Sequence, residues 1–331
     1  MKKILSALIV ICLIFIFCAS ALSETTFALI LKDAENPYMQ YMGDGFSNAC
    51  AEIGAKCIIV GPTNAQEQTE WVEKMIAQQV DAIAIAVNDS SEVSDALKSA
   101  LNAGIPVISL DSSALPEDRY LHIQQASPEI IGRVLIQAVY EMLSGSGDIA
   151  VLSTTRTTPN QALWLKWMHA ELDQYPEKYA NLRIVDTVYG RDDYETSARL
   201  TRALLERDPN LKIIVAPTVV GIKAAADVIA EVGSDVKVTG LGLPSDMAAH
   251  IRSGVCPWMY LWNPIDMGYI AAYAANALVA SETDGTAGDT IEAGSFGQKL
   301  ITQSADGGTE IVVGNPYQFD TTNIAIWEEL F

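Results

Sequence analysis

The 331-residue sequence contains few basic residues, few histidines and few cysteines, and each shortage excludes a class of function. Lysine and arginine number 21 against 41 aspartates and glutamates, which gives a formal net charge of −20. Nucleic acids and anionic lipids are bound through basic surfaces, so we expect neither as a partner. The histidines at 122, 169 and 250 lack metal-ligand spacing, and no CxxC motif is present. We therefore expect no bound metal and no cofactor.

Enzyme motifs are also missing. The sequence has no GxSxG turn, no glycine-rich phosphate loop and no cysteine–histidine pairing of familiar spacing. A carboxylate pair for glycoside cleavage could be drawn from Asp33, Asp89 and Asp111, but nothing in the sequence selects one pair. We expect a protein that is not an enzyme, and a secreted carbohydrate-active enzyme stays as the alternative.

Only the amino terminus carries a long apolar run. Two lysines precede the apolar residues 4–17, and the small residues 19–21 follow, which is the pattern of an export signal cleaved near Ala21. The run is shorter than the ~20 residues of a membrane-spanning helix, which disfavours an uncleaved anchor. Lipid attachment at Cys18 is disfavoured because bulky residues precede it. We expect residues 1–21 to be a signal peptide and the mature protein to lie in the periplasm.

Removal of the signal would leave 310 residues with a net charge of −22, because 19 basic and 41 acidic residues remain. That length suits two lobes better than one core. Three cysteines remain, at 50, 57 and 256, so at least one thiol stays free. We expect buried structural thiols, and a disulfide between Cys50 and Cys57 is the open alternative.

Short apolar segments typical of buried strands alternate with amphipathic helical patterns. Strands are expected at 27–31, 57–60, 82–87, 106–110, 148–153, 183–189, 212–217, 237–243 and 257–262. Helices are expected at 37–54, 66–79, 91–103, 128–143, 160–173, 194–206, 219–232 and 264–280. Continuous apolar strands between helices indicate parallel sheets covered on both faces. The sequence predicts an α/β fold with two doubly wound parallel-sheet lobes, a strand-poor tail from about Thr283 and a short helix near the end.

The two lobes are expected to exchange segments of the chain. The N-terminal lobe is expected to comprise residues 24–125 and 264–285, and the C-terminal lobe residues 126–263 and 286–331. The chain would then cross between lobes near Gln125, near Asn263 and within 283–292, which predicts a hinge of several crossings.

Polar and aromatic residues follow the expected strands, at the sheet edge where open α/β folds bind small molecules. Carboxylates, amides, hydroxyls and aromatic rings with few cations suit a polyhydroxylated ligand, because they pair with hydroxyls and cover the apolar face of a sugar ring. The candidate ligand-binding residues are Lys32, Asn36, Tyr38, Asn88, Asp111, Asn160, Gln161, Pro217, Thr218, Val219, Trp262 and Asn263.

Several candidates also have a structural interpretation. A carboxylate directly after a buried strand is costly unless something pairs with it, so Asp111 either contacts the ligand or caps the next turn. Lys32 is either its partner or a ligand contact itself. Asn36 could serve only as a helix cap and Tyr38 only as core. The acidic cluster 192–195 is interpreted as solvated surface.

Several motifs resemble those of the periplasmic sugar-binding proteins of ABC importers, in the group that includes ribose-binding protein. The resemblance covers nearly all of the mature sequence and implies the type I periplasmic binding protein fold. It is carried by ENPYMQYMGDGF (35–46), VDAIAIAVND (80–89), AGIPVISLDS (103–112), LGLP (241–244) and LWNPIDMGY (261–269).

Within that group the chain is most similar to the autoinducer-2-binding and rhamnose-binding proteins. The motifs of this subfamily are GPT (61–63), DSSALPEDRYLHIQQ (111–125), NQALW (160–164), IIVAPT (213–218) and FDTTNIAIW (319–327). The resemblance implies ligand contacts from Lys32, Asp111, Asn160, Gln161 and residues 217–219, with Tyr38 and Trp262 as walls of the pocket.

The same resemblance implies the partners. Autoinducer-2 receptors of this type usually carry Asp where this chain has Asn160 and commonly Ala where it has Val219. A rhamnose-like monosaccharide is therefore the leading ligand, and autoinducer-2 is the alternative. An ABC permease and its ATPase subunits are the implied protein partners, a chemoreceptor is a further one, and a monomer is expected.

Overall fold

Alternating strands and helices fill residues 24–331, the part of the chain that the computed structural model describes. The expected signal peptide and its alternatives lie outside the described residues. The first series of elements is β1 (Thr26–Ile30), α1 (Pro37–Ile53), β2 (Lys56–Val60), α2 (Ala65–Gln78), β3 (Ala82–Ile85), α3 (Ser90–Asn102), β4 (Val107–Leu110) and β5 (Leu121–Gln124).

The second series and the tail follow without a long interruption. The second series is α4 (Pro128–Met142), β6 (Ser146–Ser153), α5 (Pro159–Gln174), β7 (Asn181–Tyr189), α6 (Tyr194–Arg207), β8 (Leu211–Ala216), α7 (Val219–Val232), β9 (Lys237–Gly240), α8 (Pro244–Ser253), β10 (Trp258–Leu261) and α9 (Pro264–Val279). The tail is β11 (Thr290–Glu292), β12 (Gln298–Leu300), β13 (Thr302–Gln303), β14 (Thr309–Val312), β15 (Tyr317–Asp320) and α10 (Ile324–Trp327).

Two mainly parallel sheets organise the molecule. One has the order β13-β14-β5-β4-β3-β1-β2 and is parallel except at β13–β14. The other has the parallel order β7-β6-β8-β9, and the antiparallel pair β10–β15 joins it through a bridge between Leu241 and Tyr260. We call the first sheet with α1, α2, α3 and α9 the first lobe, and the second sheet with the remaining long helices the second lobe. The expected doubly wound α/β fold is confirmed.

Several elements were not predicted from the sequence, and part of the tail was assigned to the wrong lobe. β5 and α8 were not predicted, and the tail contains five short strands where few were expected. β13 and β14 extend the first sheet beyond β5, so residues 302–303 and 309–312 do not belong to the C-terminal lobe, where they were expected. The third crossing between lobes is the segment 313–316, which joins β14 to β15, and not 283–292.

The crossings between the lobes lie side by side. The backbone N–H of Val313 donates to the carbonyl of Gln124 at 2.8 Å, and that of Gly314 donates to Gln125 at 3.2 Å. Segments 125–127 and 313–316 are therefore hydrogen-bonded at the hinge. The chain also crosses at 262–263, between β10 and α9.

Helix α9 is fixed to the first lobe by close packing on α1. A Cβ on Gly45 would lie 1.9 Å from the carbonyl oxygen of Ile265, and a Cβ on Gly268 would lie 1.8 Å from that of Met42. Only glycine allows the two backbones to approach so closely. Because α9 begins two residues after Trp262, this packing brings that side chain against Tyr38 of α1.

Prolines fix where the helices at the sheet edges begin. Pro37, Pro159 and Pro264 stand in the first turns of α1, α5 and α9, where a missing N–H costs nothing. The first-turn side chains of these helices therefore lie close to the strand ends. Among the described residues, no helix is long and apolar enough to cross a membrane. The three cysteines of this part of the chain are free, and Cys50 and Cys256 are buried.

Candidate functional site

The carboxyl ends of the two sheets face a common cleft that contains two adjoining cavities. The inner cavity has a volume of about 40 Å³. It is lined by Lys32, Asn36, Tyr38, Met39, Asp111, Asn160, Gln161, Trp164, Asp192, Pro217, Thr218, Val219, Leu241, Leu261 and Trp262. The outer cavity has a volume of about 500 Å³ and is lined by Lys32, Asp33, Asn36, Thr63, Asn88, Thr154, Thr155, Arg156, Thr158, Tyr189, Arg191 and Asp192.

A buried ion pair forms the floor of the inner cavity on the first lobe. Ile30 of β1 lies beside Ile85 of β3, which lies beside Ser109 of β4, so the residues after β1 and β4 meet at one edge. Lys32 Nζ lies 2.6 Å from Asp111 Oδ2, and both side chains are largely buried. The ammonium also donates to Ser112 Oγ at 2.8 Å.

Asp111 connects both lobes through its carboxylate. Its backbone is left-handed, with φ of 59°, a conformation that Asp tolerates better than most residues. Besides Lys32, its oxygens accept hydrogen bonds from Tyr38 Oη and, across the cleft, from Asn160 Nδ2, both at 3.2 Å. Its partners are side chains, which favours the site interpretation over a cap of the following turn.

Aromatic side chains form one wall of the inner cavity. Trp262 Nε1 donates to Tyr38 Oη at 2.6 Å, and Tyr38 in turn donates to Asp111. Burial, followed by the negative charge of Asp111, raises the pKa of Tyr38 well above its ordinary value, so the phenol remains a donor. Trp164 packs edge-on against Trp262 with ring centroids 5.8 Å apart. The buried Nε1 of Trp164 has no hydrogen-bond partner among residues 24–331.

Two amides from the start of α5 enter the cavity from the second lobe. Gln161 Oε1 accepts from Ser153 Oγ, Thr154 N and Thr154 Oγ1 at 2.7 to 2.9 Å. These bonds fix the side chain to the end of β6 and leave its amide nitrogen as the group it can offer a ligand. Asn160 Oδ1 accepts from the Gln161 N–H at 2.8 Å, which orients Nδ2 toward Asp111.

The end of β8 completes the second-lobe side. Pro217 and Val219 present apolar surface, and the Thr218 hydroxyl donates to Asp192. Burial raises the pKa of Asp192 above its ordinary value, and Asp111 adds to this, while Thr218 and Lys32 oppose it. A carboxyl of the second lobe thus lies near the ion pair of the first.

The structure brings most of the sequence candidates together. The inner cavity contains Lys32, Asn36, Tyr38, Asp111, Asn160, Gln161, Pro217, Thr218, Val219 and Trp262. Asn36 both lines the cavity and caps α1, since its Oδ1 accepts from the Tyr38 N–H at 3.0 Å. Asn88 lines only the outer cavity. Asn263 reaches neither, because its amide caps α9 through the Ile265 N–H and donates to Asp266.

Sequence reasoning missed some lining residues. Asp192 was interpreted as solvated surface, yet it lines both cavities. The available signal was its position in the loop after β7, three residues beyond the strand end at Tyr189, whereas Asp111 follows β4 immediately. The apolar Met39, Leu241 and Leu261 were not singled out either. Among the described residues, no cluster of three potential metal ligands is found.

A family model and a solved structure both match most of this chain. The family model described as periplasmic binding protein domain matches residues 27–283. An ABC transporter solute-binding protein from Clostridium phytofermentans, solved with bound L-rhamnose, is 41% identical. The match covers 93% of this chain and 99% of that one, with a TM-score of 0.90.

More distant relatives share the architecture. LsrB from Clostridium saccharobutylicum in complex with AI-2 is 22% identical with a TM-score of 0.85, and the match covers 92% of this chain and 99% of that one. At that identity the likeness concerns the fold. The ribose import binding protein RbsB of Bacillus subtilis is 26% identical over 77% of this chain and 82% of its own length.

Proposed function

Because the chain belongs to the periplasmic binding protein domain family, we propose that it is the exported solute-binding component of an ABC sugar importer. It captures its ligand in the periplasm, acts as a monomer and delivers the ligand to a membrane permease driven by ATPase subunits. The family assignment confirms the resemblance inferred from the strand-end motifs. Delivery to a chemoreceptor is a further possible output of the same binding event.

The proposed ligand is a rhamnose-like deoxyhexose. The observation that carries this choice is the L-rhamnose-bound relative, which is 41% identical over nearly the whole chain. The inner cavity is chemically suited to such a sugar. Lys32, Asp111 and Asn160 can pair with ring hydroxyls, and Leu241 and Leu261 offer apolar surface to a methyl group.

Two buried N–H groups that have no hydrogen-bond partner in the described part of the chain support a hydroxylated ligand. Buried polar groups in native proteins nearly always have partners. Trp164, which lines the inner cavity, and Asn88, which lines the outer cavity, each carry a buried N–H group that has no partner among residues 24–331. A sugar hydroxyl accepts hydrogen bonds and would satisfy the indole N–H.

Binding and release follow from the distribution of these groups over two lobes. The first lobe contributes Lys32 and Asp111, and the second contributes Asn160, Gln161 and residues 217–219. A ligand that contacts both lobes binds the closed form more tightly than the open form, so it shifts the equilibrium toward closure. Closure then presents the surface that a permease recognises.

Autoinducer-2 is the second candidate, for uptake or sensing of a quorum signal. The subfamily motifs, including GPT at 61–63 and IIVAPT at 213–218, are shared by autoinducer-2-binding and rhamnose-binding proteins and so support it as well. Two positions disfavour it. Autoinducer-2 receptors usually carry Asp where this chain has Asn160. Here the Asn160 amide donates to Asp111 at 3.2 Å, and an Asp side chain in its place would be repelled by Asp111. Val219 is also bulkier than the alanine that is common in those receptors.

Calorimetry on refolded, ligand-stripped protein would test the proposal. We expect heat with L-rhamnose and weaker or no heat with D-ribose and autoinducer-2. Heat only with autoinducer-2 would establish the second candidate, and no heat with any of the three would refute the subfamily assignment. Incubation with an aryl rhamnoside tests the enzyme alternative, since released product would contradict a pure binding role.

A further inference from the structure

The loop after β7 places an acidic side chain at the junction of the two cavities. Asp192 lines the inner cavity and the outer cavity, a property it shares with Lys32 and Asn36. Those two residues belong to the first lobe, so Asp192 is the second-lobe residue at this junction. A ligand that occupies either cavity can therefore come into contact with Asp192.

The backbone of this loop is held in an unfavourable conformation. Arg191 has φ of 62° and Asp192 has φ of 53°, so two successive residues other than glycine are left-handed. Such residues persist only where their surroundings enforce them, and they cluster at functional sites. Here the Gly190 and Arg191 N–H groups donate to the carbonyls of Ser153 and Thr154 at 2.7 and 2.9 Å. The loop is thereby fixed to the end of β6, beside Gln161.

One oxygen of Asp192 remains available. Oδ1 accepts a hydrogen bond from the Thr218 hydroxyl, which fixes the plane of the carboxyl group. Oδ2 accepts none from the described part of the chain. An acceptor held in this way is suited to a ligand hydroxyl, because the partner on the protein side is already in place.

The charges of the inner cavity are unbalanced. Lys32 is the cationic residue among the lining residues, and its Nζ is already 2.6 Å from Asp111. Asp192 lines this cavity together with Lys32 and Asp111. A ligand carboxylate would therefore meet two acidic groups and a lysine that is already paired. In a partly desolvated cleft that arrangement repels an anion and tolerates a neutral polyol.

We propose that Asp192 is a ligand-contacting residue that accepts a hydrogen bond from a ligand hydroxyl. We further propose that, together with Asp111, it makes the site select neutral sugars over sugar acids of the same size. The inference rests on the proposed function, since it takes a monosaccharide as the ligand. It adds a contact from the second lobe and excludes a ligand class.

The test compares Asp192→Asn with Glu195→Gln in the mature protein after refolding and removal of ligand. Asn tolerates the left-handed backbone, and it removes the charge and replaces one acceptor oxygen with a donor nitrogen. Glu195, exposed on the first turn of α6, gives the same change of charge outside the cavities. Thermal unfolding of the ligand-free variants checks that the Asn variant folds. Calorimetry then measures binding of L-rhamnose and of L-mannuronate, an acid of the same sugar series.

We expect the wild type to bind L-rhamnose and to show no heat with L-mannuronate. Asp192→Asn should weaken L-rhamnose binding about 10-fold and make binding of L-mannuronate detectable, while Glu195→Gln should change neither. Unchanged L-rhamnose affinity in Asp192→Asn, or equal losses in both variants, would overturn this inference alone. If the wild type binds another neutral sugar, that sugar replaces L-rhamnose in the comparison. Failure of the wild type to bind any neutral sugar would overturn the proposed function and this inference with it.

Discussion

Lys32 and Asp111 form a buried ion pair of 2.6 Å between residues that follow β1 and β4, two strands separated by β3. A buried pair contributes little net stability compared with an apolar pair, but removal of one partner leaves an uncompensated charge. The same pair lies at the floor of the inner cavity. Its loss should therefore affect binding and stability separately, and the two effects can be measured independently.

Asp111→Asn should abolish most ligand binding. We expect affinity for L-rhamnose to fall by about 100-fold or more, because a charged acceptor of ligand hydroxyls is replaced by a neutral amide. The ligand-free variant should also lose about 1–3 kcal/mol of unfolding free energy, since Lys32 is left without its counter-ion. Calorimetry and urea unfolding measure the two quantities.

The double variant Lys32→Met with Asp111→Asn provides the control. It removes both charges, so it should recover most of the lost stability without recovering binding. Recovery of binding in the double variant would show that Asp111 only neutralises Lys32 and does not contact the ligand. Equal instability of the single and double variants would contradict the ion-pair argument.

Asn160→Asp tests the distinction between the two candidate ligands. Its new carboxylate would lie 3.2 Å from Asp111, across the cleft, and like charges at that distance cannot both ionise at low cost. We expect L-rhamnose affinity to fall about 10-fold and the loss to shrink as the pH is lowered, because protonation of one carboxyl relieves the repulsion. Titrations at about pH 7 and about pH 5 would show this trend. Higher affinity for autoinducer-2 in this variant would support the second candidate, and an unchanged L-rhamnose affinity would contradict the proposed role of Asn160.

Tyr38→Phe should loosen the aromatic wall without destroying the cavity. The phenol links Trp262 Nε1, at 2.6 Å, to Asp111, at 3.2 Å, so its loss leaves the indole N–H unpartnered. We expect ligand affinity to fall about 5- to 10-fold, in line with one lost hydrogen bond of about 1 kcal/mol. The tryptophan fluorescence of the wild type should change when the ligand binds, and the size of that change should differ in the variant. Tyr41→Phe on the same helix is the matched control, because Tyr41 packs on Phe331 and lines neither cavity.

The first-lobe half of the site could be predicted because its strands are apolar and continuous. β1, β3 and β4 contain buried residues throughout, so their ends are visible in the sequence and the polar residues beyond them follow. Asp111 and Lys32 were found in this way. The same rule applied to β8 identified residues 217–219.

The position of Asp192 and the pairing of the tail strands could not be predicted, because they depend on backbone conformation and on distant parts of the chain that the local sequence pattern does not show. β7 is an edge strand of mixed polarity, and acidic residues continue after Asp192 into α6, so the cluster resembled a solvated helix start. Two left-handed residues turn Asp192 toward the cleft, and nothing in the residue types requires that turn. The tail strands β14 and β15 form on edges supplied by β5 and β10, which are more than fifty positions away.

Gly45→Ala should destabilise the first lobe severely. The added Cβ would lie 1.9 Å from the Ile265 carbonyl oxygen, so α1 and α9 would have to separate. We expect a loss of about 3 kcal/mol or more in unfolding free energy, the range of severe overpacking. Gly43→Ala on the same helix is the matched control. Its Cβ would meet only side chains at 3.6 Å or more, and the gain in helix propensity should stabilise the protein by about 0.5–1 kcal/mol. Equal effects of the two substitutions would contradict the packing argument.

His122 gives the protein a specific sensitivity to acid. The side chain is 1% exposed, its Nδ1 lies 2.9 Å from Ser109 Oγ, and Nε2 has no partner in the described part of the chain. Burial, followed by the positive charge of Arg119, lowers the pKa of His122 to about 3. The ring is therefore neutral in the folded state under conditions in which an unfolded histidine is protonated.

The sign of the effect follows from proton binding. Between about pH 6.5 and about pH 3 the unfolded chain binds a proton at this position that the folded chain does not, so stability falls as the pH is lowered through that window. The contribution is up to about 1.4 kcal/mol per pH unit. His122→Gln should remove it, and urea unfolding at about pH 7 and about pH 5 should show a smaller loss than in the wild type. His169→Gln, an exposed position on α5, should behave like the wild type. Equal losses in wild type and His122→Gln would mean that other groups, and not the buried imidazole, cause the acid sensitivity.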